Sequence, residues 1–146
     1  MNKVLFYYSL TGNCKLIVDT IKEEDNNLIV RELKIKRKMP KIFFFRVLSG
    51  GFLAFINKKD KLVDTNLSVN EDDYIIVVSP VWNDRFPPAI NSLLKSVKKV
   101  DKFIFTSGSG EIKHLKKILD KKYSNSKVLV LKEPIKNKGE LEKLKD

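Results

Sequence analysis

Ser9, Thr11, Asn13 and Cys14 fall within six consecutive positions, with Gly12 among them and an amphipathic run, Cys14 to Lys22, directly behind. Hydroxyl and amide side chains donate hydrogen bonds, and Gly12 tolerates φ > 0 and close backbone approach. The first N–H groups of a following helix have no intrahelical partner and carry partial positive charge. Residues of these types in this order can hold an anion, and a phosphate above all. Spacing removes several phosphate chemistries. A Walker loop needs Gly, four residues, then Gly-Lys-Ser/Thr, and a dinucleotide fingerprint needs three glycines where this turn has one. A cysteine phosphatase loop would want Arg six positions after Cys14, where Thr20 stands. The plain alternative is a strand-to-helix turn in which Ser or Asn serves only as a cap.

Two other stretches carry usable chemistry. Pro80-Val81-Trp82-Asn83-Asp84-Arg85 places the only tryptophan of the chain in a loop beside Asn83, a residue that tolerates the left-handed region. Ser107-Gly108-Ser109-Gly110 is a small, hydroxyl-rich turn. Arg85 can meet an anionic ligand or pair with Asp84. His114, the lone histidine, reads first as a helix-surface residue near the same turn. Cys14, the lone cysteine, cannot form an internal disulfide, and a helix N-terminus is a setting that lowers a thiol pKa. No cluster has metal-ligand spacing, and no residue is singled out as catalytic.

The elements that must position these loops are legible from hydrophobic pattern. Strands are expected over Lys3–Tyr8, Leu28–Ile35, Tyr74–Ser79, Lys102–Thr106 and Lys127–Leu131. The first and third are continuous apolar runs, as in strands covered on both faces. The second alternates in its later half, as an edge strand does. Helices are expected from about Asn13 to Glu24, with Leu16, Ile17, Thr20 and Ile21 inward, from about Pro88 to Lys98, and after Glu111 to Lys122. A short one over Lys138–Lys145 turns Leu141 and Leu144 inward. Strands alternating with helices make right-handed parallel crossovers.

Residues 36–64 are the least regular stretch. Basic residues flank Ile42-Phe43-Phe44-Phe45-Arg46-Val47-Leu48-Ser49-Gly50-Gly51-Phe52-Leu53-Ala54-Phe55-Ile56. The bland reading is a helix interrupted at Gly50-Gly51 that covers the sheet. The sharper one is an exposed aromatic patch over 42–56 for docking or membrane-surface contact.

The turn Ser9-Leu10-Thr11-Gly12-Asn13 after a first strand resembles the FMN-phosphate loop of flavodoxins and flavodoxin-like oxidoreductases. Pro80–Arg85 resembles their flavin-ring loop. The resemblance covers nearly the whole chain and implies an α/β, three-layer, doubly wound fold with a five-stranded parallel sheet in order 2-1-3-4-5. Strands one and three then adjoin at the switch point, where ligands of open parallel sheets bind. FMN is the implied cofactor, held non-covalently by Ser9, Leu10, Thr11, Gly12, Asn13 and Cys14, by Pro80, Val81, Trp82, Asn83, Asp84 and Arg85, and by Ser107, Gly108, Ser109 and Gly110. Trp82 would stack on the ring, the peptide at Asn83 would offer its N–H to flavin N5 on reduction, and Arg85 would support the flavin pyrimidine or a pyridine-nucleotide phosphate. Three features depart from the family: Cys14 replaces a threonine, Ser107–Gly110 lacks a covering aromatic, and the chain is basic. The implied role is electron transfer. The alternatives are an NAD(P)H-dependent flavin or quinone reductase, and a flavin-free interaction domain using the Phe-rich segment.

Composition bounds these readings. A chain of 146 residues with 42% hydrophobic content fits one globular domain spanning 1–146. The net charge of +11 comes from 29 basic residues, 25 of them Lys and four Arg, spread along nearly the whole chain. Nucleic-acid surfaces concentrate charge on one face and favour Arg, so no nucleic acid is expected. The expected partners are a redox protein, acidic by complementarity, or NAD(P)H or a quinone. No run reaches the roughly 18 apolar residues of a spanning helix. The single cysteine and the N-terminal strand suit a cytoplasmic protein without a secretory leader.

Overall fold

The structure, a computed structural model, describes residues 1–36, 61–63 and 65–145. The expectations for the Phe-rich stretch, a covering helix or an aromatic patch, lie outside the described residues. Five parallel strands form one sheet: β1 (Lys3–Tyr7), β2 (Ile29–Glu32), β3 (Tyr74–Pro80), β4 (Lys102–Ser107) and β5 (Lys127–Lys132). Their order is β2-β1-β3-β4-β5, as expected, with β3 central. The connecting helices are α1 (Asn13–Glu24), α2 (Pro88–Ser96) and α3 (His114–Lys122), and Lys138–Lys145 forms a 3-10 helix.

The pleat sorts the strand residues into two cores. Val4, Phe6, Ile75, Val77, Phe103 and Phe105 face α2 and α3, meeting Ala89, Ile90 and Leu93 of α2 and Leu115 and Leu119 of α3. Leu5, Tyr7, Ile76, Val78 and Ile104 face the other way, onto Cys14, Ile17 and Val18 of α1, with Leu141 and Leu144 of the 3-10 helix packed against that side. This period-two division is what makes three layers. Pro88 opens α2, where a missing N–H costs nothing.

The inward face of α1 differs from the expected one. Cys14, Ile17 and Val18 are buried and Ile21 packs beside them, spaced i, i+3, i+4, i+7. Leu16 and Thr20 flank that stripe, and the Thr20 hydroxyl donates to the Leu16 carbonyl. Strand β2 is also shorter than expected. Leu33 still donates its N–H to Tyr7 O, but Ile35 leaves the parallel ladder for an antiparallel bridge to Leu62. The chain beyond Leu62 returns along this edge, where the Arg31 guanidinium donates to the carbonyls of Asn66 and Ser68. A strand edge covered in this way offers fewer open groups to other chains.

Candidate functional site

All five strands are parallel, so their carboxyl ends lie along one edge, and the loops after β1, β3, β4 and β5 gather there. A cavity of about 480 Å³ opens between them. Leu10, Thr11 and Asn13 line it from the β1 loop, Pro80, Val81 and Trp82 from the β3 loop, and Thr106, Ser107 and Gly108 from the end of β4. Glu133, Ile135 and Lys136 complete it from the loop after β5. A second cavity, of about 410 Å³, shares Val81, Ser107 and Gly108 with the first and continues past Asn83, Asp84, Ser109, Glu111 and Lys113. The three expected loops thus converge on one groove at the β1–β3 switch point.

The β1 loop is built around Gly12, whose φ of 91° is a left-handed conformation that a side chain resists. Among the described residues, the backbone N–H groups of Leu10, Thr11, Gly12, Asn13 and Cys14 meet no acceptor. The next one, of Lys15, donates to Ser9 Oγ at 3.3 Å. Five successive unmatched donors, the last two in the first turn of α1, are a set of groups that can serve an anion. Asn13 Nδ2 donates to Thr11 Oγ1 at 3.2 Å, and Asn13 Oδ1 accepts the Ile135 N–H at 2.9 Å. Asn13 thus shapes the loop with Oδ1 and one Nδ2 proton and keeps the other proton, and the Ser9 and Thr11 hydroxyls accept bonds and keep their protons to donate.

Cys14 is a correction to the expected thiol chemistry. Its side chain is 1% exposed and sits in the core beneath α1, 3.6 Å from Thr106 Oγ1. Burial pushes its pKa up to about 12, and outweighs the opposing effect of the Thr106 hydroxyl. The helix N-terminus does not produce an activated thiolate, because desolvation of the charged form outweighs it.

The β3 loop closes as a tight turn in which Trp82 and Arg85 exchange backbone hydrogen bonds of 3.1 and 3.0 Å. Asn83 and Asp84 occupy its tip with φ of 47° and 57°, so the left-handed tolerance read at Asn83 extends to the next residue. Trp82 is half-buried, its indole edge-on to Tyr8 with ring centroids 5.8 Å apart. That contact fixes the ring while leaving it on the cavity wall. The Asp84 carboxylate braces the fold, accepting the N–H groups of Lys113, His114 and Leu115. Helix α3 has no side-chain cap of its own, so Asp84 caps it from 29 to 31 residues away and locks two walls of the groove together.

Ser107 and Ser109 bond each other through their hydroxyls at 3.1 Å, and Ser107 Oγ donates to Glu111 O. The two hydroxyls of the β4 turn are therefore engaged within the turn. A Cβ added at Gly108 would meet no atom within 4 Å, so the groove is open on this side. His114 belongs to neither cavity lining. Among the described residues no group of three or more His, Cys, Asp or Glu could hold a metal ion, and no helix is long and apolar enough to cross a membrane.

Glu133, Ile135 and Lys136 were not anticipated from sequence. Nothing in their composition marks them. Only their place after a parallel strand, hence on the ligand-binding edge, points to them.

No protein-family model matches the chain, and no curated protein does. Solved structures share its fold. One is a flavoprotein in complex with FMN from Lactobacillus acidophilus NCFM, with a TM-score of 0.64 and 20% identity over 99% of each chain. Another, from Bacteroides uniformis ATCC 8492, is described as a candidate flavoprotein, with a TM-score of 0.71 and 19% identity over 99% of this chain and 98% of that one. A third, from Bacteroides eggerthii DSM 20697 and described likewise, has a TM-score of 0.66 and 16% identity over 99% and 96%. The chain has the three-layer α/β fold of these proteins, with the same doubly wound sheet.

Proposed function

We propose that this chain is an FMN-binding, flavodoxin-like protein that acts in electron transfer. The observation that carries the reading is the run of unmatched N–H donors at residues 10–14, set in the same groove as Trp82. A phosphate monoester suits the donors, and a planar aromatic ring suits the indole beside them. The FMN complex of the Lactobacillus acidophilus structure, which has the same fold, supports the choice of ligand. The β1 loop would hold the phosphate, and Pro80–Arg85 with Ser107–Gly110 would flank the ring. A bound flavin supplies one- and two-electron chemistry, while the protein supplies position and electrostatics. The net charge of +11 favours an acidic partner protein.

A second reading has one observation in its favour. The open space at Gly108 leaves room against the ligand, as hydride exchange with a nicotinamide or quinone would need. Steady turnover of NAD(P)H with a quinone distinguishes this reductase from a carrier, which instead exchanges single electrons rapidly with a partner protein.

The test of the flavin reading is the visible spectrum of protein purified with no added cofactor, followed by titration with FMN. Flavin absorption, or saturable quenching of the single tryptophan, is expected. A colourless protein whose Trp82 emission ignores added FMN would refute it. Trp82→Ala, titrated by flavin fluorescence because it removes the reporting tryptophan, should weaken FMN binding about tenfold, the worth of one aromatic stack.

A further inference from the structure

We infer that Lys136 selects a phosphorylated ligand over its unphosphorylated counterpart in the main cavity, and that Glu133 holds it in readiness. The inference rests on the flavin reading and assigns a residue to it. Among the described residues, Lys136 is the one cation lining that cavity, and it does so together with Thr11 and Asn13 of the β1 loop.

Its backbone is firmly placed. Glu133, at φ 38°, reverses the chain after β5, and its carbonyl accepts the N–H groups of Lys136 and Asn137 at 2.9 and 3.0 Å. Asn137 Nδ2 closes the turn onto Lys132 O at 3.0 Å. The Ile135 N–H to Asn13 Oδ1 bond then ties the turn to the first residue of α1. Ile135 Cδ1 lies 3.4 Å from where a Cβ on Gly12 would stand, so the two loops are in contact. Lys136 is thus the residue next to the one that touches the phosphate-type loop.

Its side chain, by contrast, can move. It is 72% exposed, and Nζ bonds Glu133 Oε1 at 2.8 Å. An exposed pair of this kind is cheap to exchange. The charges at the site give the reason for an exchange. Backbone donors at a helix start amount to about half a positive charge, whereas a phosphate monoester brings close to two negative charges. Lys136 supplies a full charge on a flexible stem, and the Glu133 carboxylate competes with the ligand for it. Removing the cation should weaken phosphate binding, and removing the competing carboxylate should strengthen it. Neither change should affect a ligand that ends in a hydroxyl.

The experiment compares FMN with riboflavin on the full chain by tryptophan quenching, with thermal melts to verify folding. Lys136→Ala is expected to weaken FMN roughly threefold to tenfold, with Lys136→Arg restoring most of it. Glu133→Gln is expected to tighten FMN about twofold to threefold. Riboflavin should stay within about twofold in all three. If the wild-type chain binds FMN but Lys136→Ala leaves it unchanged, or shifts FMN and riboflavin equally, this inference fails and the flavin reading stands. If the wild-type chain takes up no FMN, both fail.

Discussion

The buried thiol gives a prediction whose size follows directly from the structure. Cys14 is 1% exposed, and burial raises its pKa from the ordinary 9.0 to about 12. At pH 8 roughly one folded molecule in ten thousand would carry the thiolate, against about one in ten for a thiol at its ordinary value. Since the thiolate is the nucleophile, alkylation by iodoacetamide should be slower by about a thousandfold than in denaturant, before steric occlusion is counted. The assay is the pseudo-first-order labelling rate of native and denatured protein, read by mass. A native rate within tenfold of the denatured one would refute the buried, neutral thiol.

The same displacement makes stability depend on pH. Between about pH 9 and pH 12 the unfolded chain loses the Cys14 proton while the folded chain keeps it. The unfolded state then binds fewer protons, so stability is intact below pH 9 and falls as pH rises, by up to about 1.4 kcal/mol per pH unit. Tyr7 and Tyr123 are also raised by burial. The test is therefore the difference between wild type and Cys14→Ala in urea melts. That difference should shrink by about 1 kcal/mol from pH 9 to pH 10. A difference that stays constant would show the thiol ionising freely in the fold.

Other substitutions probe the frame of the groove. Asp84→Ala removes the carboxylate that accepts the N–H groups of Lys113, His114 and Leu115 at the start of α3 and should cost about 2 kcal/mol in urea melts, with Asp84→Asn intermediate. Asn83→Val forces a β-branched residue to φ 47° and should cost about 1–2 kcal/mol, whereas Asn83→Gly should fold as well as wild type. The backbone N–H groups of Asn70 and Asn2 hold the Asp73 carboxyl below the usual carboxylate range. Its contribution is therefore complete at neutral pH and is lost as pH falls through its depressed pKa. Asp73→Ala should flatten the acid limb of urea midpoint against pH.

How far the sequence carried the fold depends on how many residues vote on each feature. Strand positions rest on runs such as Tyr74–Val78, where every residue agrees, and their ends are correct to within a residue or two, β2 excepted. In β2 the apolar alternation of Leu33 and Ile35 is real, but Ile35 pairs with Leu62 rather than with β1, and pattern does not name partners. The face of α1 was ambiguous because Leu16 and Val18 are both apolar. The phase is set by the Gly12 turn, which buries Cys14 and with it positions 17, 18 and 21. That same phase reverses the expected chemistry of the thiol. The Glu133–Lys136 wall was not legible, since a turn with no distinctive residue types becomes part of a site only through the sheet edge on which it lands.

The residues of the first loop divide into two groups that their types do not reveal. Asn13 and Cys14 belong to the architecture, one bridging to Ile135 and the other filling the core under α1. What is left to a ligand is mostly backbone: the donors of residues 10–14, held open by a glycine at φ 91°. The thiol is not among the groups lining the cavity. Cys14→Thr therefore places its hydroxyl beside Thr106 instead of on the ligand, and FMN affinity should change by less than about threefold. Asn13→Ala should weaken FMN more, because it releases the β5 loop from the start of α1. Isothermal titration of the two variants against FMN decides the matter. If Cys14→Thr improves binding tenfold while Asn13→Ala leaves it unchanged, the site is built from side chains after all.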